Sequence, residues 1–304
     1  MRERFVASGL VVSVVGVGCN NFGWRLDEAA SRAVVDAAID AGITLFDTAE
    51  TYGDGQSEEF LGRAVAGRRD RVVIATKFGW GKGRGDNEVA RGRPDYIRGA
   101  IERSLRRLGT DYVDLYQYHR PDGVTPIGET LGAMDELVDE GKVRFIGSSN
   151  FSGAQVAEAE AVSASHNLQR FVTAQNRYSW LERDAEQDVI PACVEHGISL
   201  LPYYPLASGL LTGKYRRGEP EPEGTRLSGR VDVSEAQWDR IEGLASWGAE
   251  RGLSLLDVAM GGLAAQPAVC SVIAGAMNPT QVRANAAAGT WEPTEEELAQ
   301  IRAI

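Results

Sequence analysis

The sequence predicts a single α/β domain, a (β/α)8 TIM barrel with an N-terminal β-hairpin closing the barrel bottom. Three observations predict it. Short β-branched runs alternate with stretches of helical spacing along all 304 residues, the pattern of a parallel sheet covered on both faces. The runs begin near Val14, Ile43, Val72, Tyr112, Val143, Phe171, Ile198 and Val269, and these eight match the number that closes such a barrel. Six of the seven gaps between them span 27 to 40 residues, room for a strand, a helix and two loops. Residues 1–304 are therefore expected to form one domain. The alternative, a doubly wound sheet, wants a third glycine after Gly16-Val17-Gly18 and an immediate helix, and the sequence supplies neither.

The elements follow in order. Phe5-Val6 and Leu10-Val11-Val12 flank Ala7-Ser8-Gly9, a small hairpin suited to plugging the barrel base. Glycine separates helix from strand in Ala41-Gly42-Ile43, Glu140-Gly141-Lys142-Val143 and His196-Gly197-Ile198, where the left-handed conformation costs glycine little. Pro94 and Asp95 open a helix whose Ile97, Ile101, Leu105 and Leu108 form one apolar stripe. Ile127, Leu131, Met134 and Leu137 form the next. The last gap, 71 residues, must hold extra material. Gly218, Pro220, Pro222, Gly224 and Gly229 mark an irregular loop there.

Composition excludes several classes. The net charge of −11 leaves no basic footprint, so no nucleic acid is expected as a partner. No run of 18 apolar residues exists, so no helix spanning a membrane is expected. Cys19, Cys193 and Cys270 are odd in number and widely spaced. They suggest neither a disulfide framework nor a zinc site, and a reducing, cytoplasmic compartment fits. The oligomeric state stays open.

In such a barrel the C-terminal strand ends face the active site. The second strand ends Leu45-Phe46-Asp47-Thr48 with Tyr52 beyond it, the third ends in Lys77, and the fourth ends Tyr116-Gln117-Tyr118-His119. A free tyrosine, with a pKa near ~10, is a poor proton donor at neutral pH. A nearby ammonium stabilises its phenolate, and an aspartate holds that ammonium charged. A histidine can orient a carbonyl oxygen. Together they would make a tuned general acid. Each has a structural alternative: Asp47 as a helix cap or structural ion-pair partner, Tyr52 as a surface aromatic, Lys77 as a solvated strand end, His119 as a core histidine. All four on neighbouring strand ends would be four separate accidents.

Longer motifs carry a resemblance. They are Leu45-Phe46-Asp47-Thr48-Ala49-Glu50-Thr51-Tyr52-Gly53, Ser104-Leu105-Arg106-Arg107-Leu108-Gly109-Thr110-Asp111-Tyr112 and Val143-Arg144-Phe145-Ile146-Gly147-Ser148-Ser149-Asn150-Phe151. Tyr203-Tyr204-Pro205-Leu206 and Gly209-Leu210-Leu211-Thr212-Gly213-Lys214-Tyr215 follow. From about Leu10 to Asn285 the chain resembles the aldo-keto reductase family, in its bacterial branch, and also the family's potassium-channel β subunits.

The resemblance implies an oxidoreductase that uses NADPH, with NADH as a weaker alternative, to reduce a small-molecule carbonyl substrate without a metal. It implies Tyr52 as general acid, Lys77 as modulator of its pKa, Asp47 as partner of Lys77, and His119 as the carbonyl-orienting group. Ser149, Asn150 and Gln175 would hold the nicotinamide carboxamide and Tyr203 would stack on its ring. A helix cap at Asn150 and rim packing at Tyr203 are the structural alternatives. Gly18, Cys19 and Asn20, with Asp47, would border the cofactor after the first strands. Tyr204, Pro205, Leu206 and Ala207 would do so after the seventh. Gly275, Met277, Gln281 and Asn285 would lie at the adenine end, with Lys214 and Arg226 reaching the phosphates. Tyr204 stands where the family usually has serine, Ser148 where it has valine, Met277 where many members have a polar or basic residue, and Ala284 where glutamate is common. The alternative function is a cofactor-binding redox sensor or regulatory subunit with little turnover. From Gly79 to Arg93, five glycines accompany Lys82, Arg84, Arg91 and Arg93. A solvated loop is expected there, with an anion-binding lid as the alternative.

Overall fold

The structure, a computed structural model, describes residues 1–7, 9–81, 90–220 and 233–304. It opens with an antiparallel hairpin, β1 (Glu3–Ala7) and β2 (Leu10–Ser13). Alternation begins with β3 (Val15–Gly18), α1 (Glu28–Asp40), β4 (Leu45–Asp47), α2 (Gln56–Val65), β5 (Val73–Phe78) and α3 (Pro94–Leu108). It continues with β6 (Val113–Tyr118), α4 (Ile127–Asp139), β7 (Val143–Ser149), α5 (Gly153–His166), β8 (Phe171–Gln175), α6 (Val189–His196) and β9 (Ser199–Leu200). The long gap holds α7 (Glu235–Ala249) and α8 (Leu255–Ala264), before β10 (Val272–Gly275), α9 (Pro279–Ala288) and α10 (Glu295–Ala303).

Eight strands form one parallel sheet in the order β10-β3-β4-β5-β6-β7-β8-β9. Parallel bridges Leu200–Val269 and Tyr203–Ile273 join its two ends, so the sheet curls back on itself as a (β/α)8 barrel. Each strand begins within three residues of its expected start. The seventh is only two residues long, and two positions beyond it Pro202 has no N–H for a ladder. Its carbonyl still accepts from the Ile273 N–H at 2.9 Å.

Local sequence explains the helices. The apolar stripe Ile97, Ile101, Leu105 and Leu108 is the buried face of α3, which starts on Pro94 and stops at left-handed Gly109. Ser152, Ser234, Ser254 and Thr294 each form a capping box, satisfying the first N–H groups of α5, α7, α8 and α10. Gly42, Gly141 and Gly197 all have positive φ at the helix-to-strand turns, as expected.

The hairpin does close the base. Leu10 and Val12 of β2 pack with Leu45, Ala75, Leu115, Leu201, Cys270 and Ile273 inside the barrel. Ser13 and Thr44 fix its position by exchanging backbone-to-hydroxyl hydrogen bonds of 2.8 and 2.9 Å. The larger apolar cluster lies between sheet and helices. Among the described residues no helix is long and apolar enough to cross a membrane. Cys19, Cys193 and Cys270 are buried free thiols.

Candidate active site

At the C-terminal rim, β4, β5, β6 and β8 each point a polar side chain inward. Lys77, wholly buried, donates from Nζ to Asp47 Oδ2 at 2.7 Å and to the Thr48 carbonyl at 2.9 Å. Asp47 Oδ1 accepts from Gln175 Nε2 at 2.8 Å and from Gln117 Nε2 at 3.4 Å. Strand register sets this up, with Lys77 beside Gln117 and Ser149 beside Gln175. An ion pair taken out of water needs such a full set of partners to persist. Burial works against the Lys77 charge, but Asp47 and the Tyr52 oxygen outweigh it and lift Lys77 above the ordinary lysine value. It is an ammonium at neutral pH.

Tyr52 stands on the loop after β4, which turns tightly through Gly53, Asp54 and Gly55, all with positive φ. A side chain at Gly53 would meet the Phe22 carbonyl at 2.6 Å, and one at Gly55 would meet Arg107 at 2.4 Å. Arg107 of α3 holds the loop from below. Its Nη1 donates to the Glu50 carbonyl and to buried Glu58 Oε2, each at 3.1 Å. Glu58 Oε1 accepts from Thr76 Oγ1 at 2.6 Å, one residue before Lys77. The tyrosine loop and the lysine strand are thus tied through one carboxylate. Glu50 accepts from Tyr96 at 2.8 Å, from the Gly79 N–H at 2.9 Å and from Arg103 at 3.2 Å.

The structure brings Tyr52, Lys77, Asp47 and His119 together. Lys77 Nζ lies 5.1 Å from the Tyr52 ring centre, and the Tyr52 and His119 rings meet edge to face at 5.8 Å. Burial pushes the Tyr52 phenol above the ordinary tyrosine value, and Lys77 pulls it down without overcoming that. The expected lowering is therefore present as one interaction and absent as a net effect, because the surroundings desolvate the phenolate. Burial first, then Lys77 and Arg120, push His119 well below 6.5. Its imidazole is neutral at pH 7 and able to donate one N–H.

The other expected residues fall into groups. Asn150, in the left-handed region, donates to the His119 carbonyl at 2.9 Å and to Ser149 Oγ at 3.1 Å, and its Oδ1 accepts from Tyr203 at 2.8 Å. Ser149 Oγ donates to the Gln175 carbonyl at 3.0 Å. Tyr204, Ala207 and Ser208 also have positive φ, in the turn that runs through Pro205 and Leu206. Lys214 is exposed and lies over the Tyr215 ring, 5.1 Å from its centre. Gly275 faces Asn20 and Asn21 across the strand ends. Gln281 takes the Met277 N–H at 2.8 Å, and Asn285 is buried on α9. The Cys19 side chain is wholly buried and its carbonyl is taken by Ser57 Oγ at 2.8 Å. Gly18 ends β3 beside Asp47. Arg226, Lys82 and Arg84 lie outside the described residues.

A nicotinamide carboxamide presents both a donor and an acceptor, which the amides and hydroxyls of Asn150, Gln175, Ser149 and Asn176 complement. Asn21 Oδ1, Asn176 Oδ1 and His119 Nδ1 are buried without a hydrogen-bond partner among the described residues, as a site built to receive a polar ligand would leave them. Among those residues, no cluster of three or more His, Cys, Asp or Glu could hold a metal.

Sequence reasoning missed Gln117, Trp80, Glu58 and Arg107. Trp80 packs its ring 4.8 Å from that of His119. Glu58 could have been noticed as a carboxylate on the buried stripe of α2, beside Leu61, Gly62 and Val65. Gln117 could have been noticed as a polar residue inside a strand run.

A model of the Aldo/keto reductase family matches residues 14–304. The chain is 35% identical over 311 residues to a probable voltage-gated potassium channel subunit beta of Oryza sativa subsp. japonica, covering 98% of this chain and 94% of that protein. It is 37% identical over 287 residues to the uncharacterized oxidoreductase YrpG of Bacillus subtilis, covering 91% and 87%. It is 35% identical over 316 residues to the aldo-keto reductase YhdN of the same organism, covering 98% and 91%.

Proposed function

This chain belongs to the aldo/keto reductase family and is by that membership an NAD(P)H-dependent oxidoreductase, and on that premise we propose that it reduces an aldehyde or ketone to an alcohol with NADPH. The chain would act as one domain, on a free small-molecule carbonyl. The observation that carries the reading is the buried Asp47–Lys77 pair set against Tyr52 and His119.

When bound, the reduced nicotinamide supplies the hydride to the carbonyl carbon. Ser149, Asn150 and Gln175 would hold its carboxamide, and Tyr203 would cover its ring. His119, kept neutral by burial, donates a hydrogen bond that orients the carbonyl oxygen and holds it near Tyr52. As charge develops on that oxygen, Tyr52 gives up its phenolic proton to it. A raised pKa guarantees that the proton is there at neutral pH. Lys77, fixed by Asp47, stabilises the phenolate that remains. The Arg107–Glu58–Thr76 chain keeps the loop and strand in register for that transfer.

The preference for NADPH over NADH rests on cations for the 2′-phosphate. Lys214 has no carboxylate partner among the described residues, and Arg226 is assigned by resemblance alone. Met277 adds no charge, so the preference is expected to be moderate. A panel of aldehydes and ketones, followed by loss of the reduced-nicotinamide absorbance, tests the activity. Steady turnover is expected, and no turnover of any carbonyl removes the reading. Titration of both nucleotides, repeated on Arg226→Ala, tests the cofactor. Equal affinities in the unmutated protein, or no selective loss of NADPH in the variant, would show the phosphate site to be elsewhere. Similarity to potassium-channel β subunits favours a second reading, a redox-sensing or regulatory subunit. Tight nucleotide binding with negligible turnover would select it.

A further inference from the structure

Three side chains lead outward from the proposed acid. The Tyr52 and His119 rings meet at 5.8 Å, the His119 and Trp80 rings at 4.8 Å, and the guanidinium of Arg120 lies 5.4 Å from the Trp80 ring centre. Stacking on an indole fixes a guanidinium while leaving its edge of N–H donors free. Three nearby arginines are matched. Arg177, over the Tyr204 ring, is paired to Glu182 at 2.7 Å, Arg103 to Glu50 at 3.2 Å and Arg107 to Glu58 at 3.1 Å. Arg120 is exposed and has no carboxylate partner among the described residues. Its charge is felt in the site, adding to the lowering of His119 and opposing part of the rise that burial imposes on the Tyr203 phenol. A chain with a net charge of −11 repels anions in general, so a guanidinium with no carboxylate partner among the described residues, one indole away from the carbonyl-orienting histidine, creates a local exception.

We infer that the substrate carries an anionic group, in the simplest case a carboxylate, and that Arg120 receives this group at the rim through charge-assisted hydrogen bonds. The inference rests on the carbonyl-reductase reading and names the substrate class for that same site.

The test compares kcat/KM for 4-carboxybenzaldehyde with that for its neutral methyl ester, methyl 4-formylbenzoate, with NADPH. The unmutated protein is expected to favour the carboxylate by about tenfold or more, chiefly through KM. Arg120→Gln should bring the ratio near one, and Arg120→Lys should keep part of it. A ratio at or below one in the unmutated protein overturns the inference, whether or not the variants fold. An unchanged ratio in folded Arg120→Gln overturns it too. Turnover of the ester without preference for the carboxylate removes only this inference. Absence of turnover with both aldehydes and with the wider panel removes the reductase reading as well.

Discussion

At the base of the barrel, Leu45, Ala75 and Leu115 point inward to meet Leu10 and Val12 of the hairpin. Two residues further along the same three strands, Asp47, Lys77 and Gln117 point inward just as deeply and are almost as completely buried. The pleat, with its period of two, stacks these layers directly. Sealing the lower layer is favourable by about 1.5–3 kcal/mol for each large apolar side chain. Burying the upper layer is costly, and its charge is tolerated because Asp47 meets one ammonium and two amides. One end of a single barrel is therefore built for stability and the other holds polarity that stability alone would not select. Substitutions in the two layers should fail in different ways.

The largest effect is expected at Lys77. Lys77→Met should lower turnover by at least ~10²-fold, because the phenolate left on Tyr52 loses its ammonium. It should also cost about 3–5 kcal/mol of stability by leaving Asp47 buried with its charge unmatched. Adding Asp47→Asn should recover much of that stability and none of the activity. Urea unfolding beside steady-state rates measures both. A double variant that regains activity would break the distinction between the layers.

Below it, Leu115→Ala should cost about 2–5 kcal/mol through the cavity it leaves. Turnover by the fraction still folded should stay close to that of the unmutated protein. A large fall in kcat at full folding would mean the base is coupled to the chemistry.

The smallest expected effect is in pH. His119 has a folded-state pKa well below 6.5, so under acid the unfolded chain takes up a proton that the folded one refuses. Stability from this group is fully present above about pH 6.5 and declines below it, by about 1.4 kcal/mol at one unit lower. Replacing His119 with Asn should flatten that part of the urea-midpoint profile between pH 7.5 and 5.5. An unchanged slope would show that His119 is not held neutral.

Much of this was legible in the sequence because periodicity and spacing are local. The eight strand starts, the hairpin and the polar strand ends at Asp47, Lys77 and His119 needed nothing more. What escaped depends on contacts made across the fold. Arg107 and Glu58 are 49 residues apart and meet only because α2 and α3 pack side by side. Trp80 reads as a loop aromatic until β5 and β6 place it against His119. The direction of the Tyr52 shift depends on how completely the phenolate is desolvated, which the presence of a lysine cannot reveal. Pro202 was visible, and the missing ladder N–H beyond the seventh strand could have been read from it.

The central claim is that the polar layer exists to deliver a proton from Tyr52. Tyr52→Phe removes that proton and little else, since the ring still packs against His119 and below Lys77. The decisive measurement is NADPH titration of the variant alongside its rate of aldehyde reduction under saturating cofactor. The account predicts nucleotide affinity close to that of the unmutated protein and turnover lower by at least ~10²-fold. A folded, cofactor-binding Tyr52→Phe protein that reduces aldehydes at a near-normal rate would contradict it.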